Sequence, residues 1–176
     1  WPEPNSSAAG QNMMALITDF IASGAEVTFM TAASDSIHKV DLASLGVHVQ
    51  PVSLNCSSFD EQISALMPDL VVFDRYMTEE QFSWRVKTHC PDALRLLNTE
   101  DLQSIRNAKH QAFKKGLAID QTDKHTGLAI REVSAILRSD ISIMISQAEI
   151  ELLTQHYKVD PSLLMYCPFM FDENTL

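Results

Sequence analysis

Residues 70–97, LVVFDRYMTEEQFSWRVKTHCPDALRLL, decide the fold class. The stretch opens on Leu70-Val71-Val72-Phe73, apolar throughout and partly β-branched, the signature of a central parallel strand buried on both faces. Thr78 then stands where it can cap a helix from Glu79 to about His89, with Gln81 in the capping-box position and Phe82 and Val86 four apart on one face. Pro91 stops that helix before a second strand, Ala93-Leu94-Arg95-Leu96-Leu97. A strand, a helix and a strand in this order form a βαβ unit and imply a parallel sheet.

The alternation continues in both directions. Upstream, a helix from Ala9 or Gly10 carries Met13, Met14, Leu16, Ile17, Phe20 and Ile21 at helical spacing and stops at Ser23-Gly24. Glu26 to Thr31 follows as a strand, Asp41 to Gly46 as a short helix, and Val47 to Val52 as a strand near a sheet edge because of Pro51. Ser58 is placed to cap a helix from Phe59 to Met67, with Glu61 completing a capping box. Downstream, the pattern predicts a polar helix from Asp101 to about Lys115, a loop from Gly116 to Gly127, and a helix from Leu128 to Arg138 with Ile130, Val133, Ile136 and Leu137 on one face. A strand Ile141–Ile145, a helix Gln147–His156 and a strand Leu163–Tyr166 complete the series. The expected fold is α/β, a Rossmann-like doubly wound, mostly parallel sheet with helices on both faces. Pro2 to Gly10 reads as the loop after a first strand, yet only Trp1 precedes it. A sheet lacking its central strand exposes unpaired edges, so the protein is expected to extend upstream.

Composition narrows the function classes. A hydrophobic content of 45% with 20% charge is ordinary for a globular domain of 176 residues. Twenty-three acidic against 13 basic residues give a net charge of -10, which opposes non-specific binding to nucleic acid or anionic lipid. Cys56, Cys90 and Cys167 are odd in number and form no CxxC pair, so free thiols in a reducing compartment are the simplest reading. No apolar run has the length of a membrane span, and Trp1-Pro2-Glu3-Pro4 lacks a signal pattern; a cytoplasmic location is expected.

In open parallel sheets the ligand crevice lies beyond the carboxyl ends of the strands. Asn5-Ser6-Ser7-Ala8-Ala9-Gly10 leads into a helix N-terminus, where free N–H groups suit a phosphate, although small polar residues also simply cap helices. Asp74-Arg75-Tyr76-Met77 place an acid, a cation and an aromatic after one strand; Arg75 can grip a phosphate or sugar, or pair with a neighbouring carboxylate. Asn98-Thr99-Glu100-Asp101 follow another strand, with carboxylates suited to sugar hydroxyls, while Asp101 is also a candidate N-cap. Ser146 reads as the cap of the helix that includes Glu149. Trp84 falls off the Phe82–Val86 stripe, as a sugar platform or a packing contact. His38, His48, His89, His110, His125 and His156 show no metal-ligand spacing, and GxSxG and GxGxxG motifs are absent.

Three places resemble the N-terminal domain of GT-B-type glycosyltransferases of the retaining group 1 kind. They are Trp1 to Gly10 with Ala25-Glu26-Val27-Thr28-Phe29; Asn98-Thr99-Glu100-Asp101-Leu102 with Arg106; and Ile145-Ser146-Gln147-Ala148-Glu149 with Leu152, followed by Tyr166-Cys167-Pro168. The resemblance implies a Rossmann-like N-terminal, acceptor-side domain over residues 1–172, with residues 173–176 beginning a linker to a C-terminal donor-binding domain. It implies transfer of a sugar from a nucleotide-sugar to an acceptor hydroxyl once both domains are paired, and an inactive fragment alone. Ser7, Ala8, Ala9 and Gly10 would approach the donor phosphates, and Asn5, Ser6, Arg75, Thr99, Glu100 and Asp101 would bind the acceptor. Neither cofactor nor metal is expected, nor are nucleic acid or strong membrane binding; the partners are the nucleotide-sugar, the hydroxyl acceptor and the C-terminal domain. Members of that family often carry Asp where this chain has Asn98 and His where it has Gln103, so the resemblance gives these two no role. The competing reading is a non-catalytic binding or regulatory domain of flavodoxin-like or receiver-like architecture, since Rossmann-like folds serve many functions. A dinucleotide-dependent oxidoreductase is a weaker third, lacking its glycine fingerprint.

Overall fold

The computed structural model describes residues 1–118 and 122–169. The expected linker at 173–176 lies outside the described residues, as do residues 119–121 of the predicted loop. The fold is α/β and Rossmann-like, with every paired strand parallel to its neighbour. The chain groups into two compact units, one built on Trp1–Glu61 and one on Gln62–Pro168.

In the first unit, α1 (Ala8–Ala22) starts at Ser7, whose hydroxyl accepts the Gly10 N–H, and ends at Gly24 with φ +86°. β1 (Thr28–Thr31) pairs in parallel with β2 (His48–Pro51) in the register Thr28 to His48. The one-turn helix predicted over Asp41–Gly46 is a 3-10 turn, Ala43–Leu45, closed by Gly46 at φ +82°. Ile17, Leu42 and Val47 form the core here, surrounded by Trp1, Met14, Val27 and Phe29.

α2 (Ser58–Leu66) carries the chain into the second unit. Ser58 is its first residue rather than its cap, and the serine hydroxyl donates to Cys56 Sγ. The second unit holds β3 (Leu70–Asp74), α3 (Arg75–His89), β4 (Leu94–Asn98), α4 (Gln103–Lys114), α5 (Gly127–Arg138), β5 (Ile141–Met144), α6 (Gln147–Gln155) and β6 (Leu164–Tyr166). Its sheet order is β3-β4-β5-β6. Consecutive residues Leu96, Leu97 and Asn98 in β4, and Ser142, Ile143 and Met144 in β5, are buried, so both faces of these central strands are covered.

Three further sequence expectations change. Leu70–Phe73 was expected at the centre of the sheet, but β3 pairs only with β4 among the described residues, and only Phe73 is fully buried. α3 begins directly at Arg75, so Thr78 sits inside its first turn, where its hydroxyl donates to the Asp74 and Arg75 carbonyls instead of capping. The inner face of α5 is Ala129, Glu132, Ala135 and Ile136, while Ile130 and Leu137 are exposed. Polar requirements set that rotation. Glu132 reaches the start of α4, and Arg131 and Arg138 make bidentate pairs with Glu80 and Glu79 of α3.

Candidate functional site

β3 and β4 end side by side, with Asp74 opposite Asn98 in the parallel register. The Asn98 side-chain amide is fully buried, and its Nδ2 donates to Asp74 Oδ1 at 3.3 Å and to Glu100 Oε1 at 3.0 Å. Two acceptor-only carboxylates are thus held together by the two hydrogens of one amide. An aspartate here would add a third negative charge without a donor. Asn98 Oδ1 finds no donor among the described residues.

The backbone at both strand ends is strained. Arg75 has φ +68° and Glu100 φ +60°, left-handed values that cost a side-chain-bearing residue about 1–3 kcal/mol and that cluster at ligand sites. Immediately after Asp74 and two residues after Asn98, these kinks turn each chain sharply where the sheet stops. Burial pushes the Asp74 carboxyl above the usual carboxylate range, opposed by the Arg75 charge and the Asn98 amide. Arg75 Nε is buried without a partner among the described residues.

The remaining polar groups are spent on structure. The buried Thr99 hydroxyl donates to the Ile143 carbonyl at 2.9 Å and ties β4 to β5. Leu102, not Asp101, is the N-cap residue of α4, and Asp101 instead pairs with Arg106 at 3.4 Å. Glu149 accepts the Leu102 N–H at 3.1 Å, and Glu132 accepts those of Gln103 and Ser104 at 2.8 and 3.0 Å. The N–H groups at the start of α4 are therefore taken by the protein's own carboxylates. Burial raises the affinity of Glu132 and Glu149 for protons, and the nearby charge of Asp101 adds to this in both. Ser146 caps α6, its hydroxyl accepting the Glu149 N–H.

Of the residues predicted to meet the acceptor, the structure brings Arg75, Thr99, Glu100 and Asp101 to the ends of β3 and β4, with Thr99 and Glu100 buried and Arg75 and Asp101 partly exposed. Asn5, Ser6 and the loop Ser7 to Gly10 belong to the first unit. There the Glu3 carbonyl accepts the Ser6 and Ser7 N–H groups. A Cβ on Gly10 would lie 2.5 Å from the Glu3 carbonyl carbon and oxygen, so the tight fold of this loop requires the glycine. Ser6 and Ser36 hydroxyls donate to the Glu3 carboxylate and, with lesser help from His38, hold it below the usual range.

Trp84 is not packed into the core; it is 64% exposed, with the Arg85 guanidinium 5.7 Å from its ring centre. The linking role of Asn98 was missed from sequence, as were the capping roles of Glu132 and Glu149. For Glu132 a signal existed: a lone carboxylate three residues from both Ala129 and Ala135 on a small, apolar helix face. Cys90 is the one fully buried thiol, and burial pushes it up, whereas Cys56 and Cys167 are partly exposed; none of the three is in a disulfide. No group of three or more His, Cys, Asp or Glu among the described residues is placed to hold a metal ion, and no helix among them is long and apolar enough to cross a membrane. No protein-family model matches the chain, and no curated protein matches it.

Proposed function

We propose that the second unit binds a neutral, hydroxyl-bearing acceptor at the ends of β3 and β4, as the acceptor-side domain of a cytoplasmic GT-B-type glycosyltransferase that uses a nucleotide-sugar donor. The observation that carries the reading is the Asp74–Asn98–Glu100 cluster beside two left-handed residues. Asp74, Glu100 and Asp101 offer acceptors, which suits sugar hydroxyls that donate and repels phosphates. Glu132 and Glu149 strengthen that selection by occupying the helix start where an anion would otherwise sit. Arg75, partly exposed and with a buried Nε that has no partner among the described residues, supplies a fixed cation at the rim. Catalysis on this reading is positioning: the acceptor hydroxyl is held in one orientation while the donor is presented to it. The donor phosphates are assigned to the loop Ser7, Ala8, Ala9 and Gly10 ahead of α1.

Saturation-transfer NMR on the whole chain, with a panel of neutral mono- and disaccharides and the same sugars as nucleotide conjugates, tests the acceptor assignment. Transfer to at least one neutral saccharide, lost in Arg75→Ala, is expected. Absence of transfer to every saccharide, with transfer to a peptide or flavin instead, would favour the non-catalytic binding domain.

A further inference from the structure

We propose that the open groove between α4 and the start of α5 binds the phosphate group of a small soluble ligand. A cavity of about 430 Å³ lies there, lined by Gln103, Arg106, Asn107, His110 and Leu128. That volume is within the range of small-molecule sites, roughly 300–1,000 Å³. The lining matches a phosphate: a planar guanidinium with parallel N–H donors, an imidazole, two side-chain amides and one apolar wall.

The charge pattern points the same way. The chain carries a net charge of -10, yet α4 holds Arg106, Lys109 and Lys114 and no acidic residue, and Lys115 follows it. Packing does not demand these cations, because the buried residues of α4 are Ser104, Ile105, Ala108 and Ala112. Arg106, Lys109, His110 and Lys114 all face solvent. Arg106 is 66% exposed in its side chain and engages Asp101 through one 3.4 Å contact. A surface pair of that kind contributes little, so a doubly charged phosphate can displace it at small cost. The groove adjoins the strand-end cluster through the Arg106–Asp101 pair but is lined by other residues, and its assignment does not depend on glycosyl transfer. Phe113, 82% exposed on the same helix, raises a lipid headgroup as a second source of the same chemistry. The cavity lining favours the soluble one, because Phe113 takes no part in it.

The whole chain, labelled with ¹⁵N, is titrated at constant ionic strength with glycerol 1-phosphate, inorganic phosphate and glycerol. Both phosphates should move the Arg106, Asn107 and His110 amides saturably, and glycerol should not. Arg106→Gln should weaken glycerol 1-phosphate by about tenfold, the loss of one charge-assisted contact, whereas Lys109→Gln, outside the lining, should change it by less than about twofold. Equal weakening by both substitutions would overturn the proposal in favour of a diffuse field, as would an Arg106→Gln chain that binds normally. Sedimentation with phosphatidylcholine vesicles containing about one-third phosphatidylglycerol separates the sources. Vesicle binding abolished by Phe113→Ala, without saturable shifts from glycerol 1-phosphate, would also overturn it; failure to sediment with vesicles alongside those shifts is the expected result.

Discussion

Replacing Asn98 by aspartate changes one atom's identity at the centre of the strand-end cluster, and the structure sets the size of the effect. The amide that now donates at 3.3 Å to Asp74 and at 3.0 Å to Glu100 would become a carboxyl group with full burial. Ionised, it would face two carboxylates with no donor between them, so it takes up a proton instead. Holding a proton at pH 7 on an acid whose ordinary pKa is about 3.9 costs roughly 4 kcal/mol, at about 1.36 kcal/mol per unit. The protonated carboxyl has one hydrogen where the amide had two, and the lost bond to a charged acceptor adds about 1.5 kcal/mol. The loss at pH 7 is therefore about 4–6 kcal/mol. The introduced acid has a folded-state pKa raised above its unfolded value, so its cost is smallest below the unfolded pKa and grows as pH rises towards the folded one. Near pH 3 little beyond the missing bond remains, about 1.5 kcal/mol. Urea unfolding of Asn98→Asp and the parent chain, followed by circular dichroism at both pH values, measures the difference. A loss under about 1 kcal/mol at pH 7, or the same loss at both pH values, would refute the idea that the amide hydrogens hold the cluster together.

Arg138→Ala should destabilise the chain by about 3–5 kcal/mol, because Glu79 is left fully buried and unpaired, while Arg131→Ala, whose partner Glu80 reaches solvent, should cost less than about 1 kcal/mol; parallel urea titrations compare them. Gly10→Ala should lower stability by about 1–3 kcal/mol, as the loop must move off a contact of 2.5 Å, and thermal unfolding monitored at Trp1 reads this unit. Glu132 and Glu149, whose proton affinities burial raises, contribute stability that is present below the ordinary glutamate range and is lost as pH rises through their folded pKa. Glu149→Gln keeps an acceptor for the Leu102 N–H and removes the repulsion from Asp101 and Glu132, so its melting temperature should fall less than the parent's between pH 4 and pH 7 in calorimetry.

Much of the architecture was legible because hydrophobic period and punctuation agree. Gly24 follows the end of α1, Pro51 marks β2 as an edge, and Ser146 caps its helix. What could not be read depends on partners distant in sequence. Leu70-Val71-Val72 reads as a central strand by composition, yet strand position is set by pairing, and among the described residues β3 pairs on one side only. Ile130 and Leu137 fit an apolar stripe, but Glu132 and Arg138 fix the rotation of α5 through groups on α4 and α3. The candidate site was half visible. The strand-end rule selects Asp74, Arg75 and Asn98 to Asp101, whereas the amide bridge spans 24 residues from Asp74 to Asn98 and needs the register of β3 against β4. The contact of His125 with His156 and Tyr157, with ring centres 4.9 and 6.3 Å apart, was hidden for the same reason.

The Asn98 side-chain amide is itself the most direct probe of the central claim, because its two hydrogens give resolved ¹⁵N signals at the strand ends. Titration of the chain with the neutral saccharide that shows the strongest saturation transfer should shift these signals together with the Arg75, Glu100 and Asp101 backbone amides, saturably and with one dissociation constant. Saturable shifts confined to other parts of the chain, leaving the Asn98 amide unmoved at full occupancy, would contradict the assignment of the acceptor to the ends of β3 and β4.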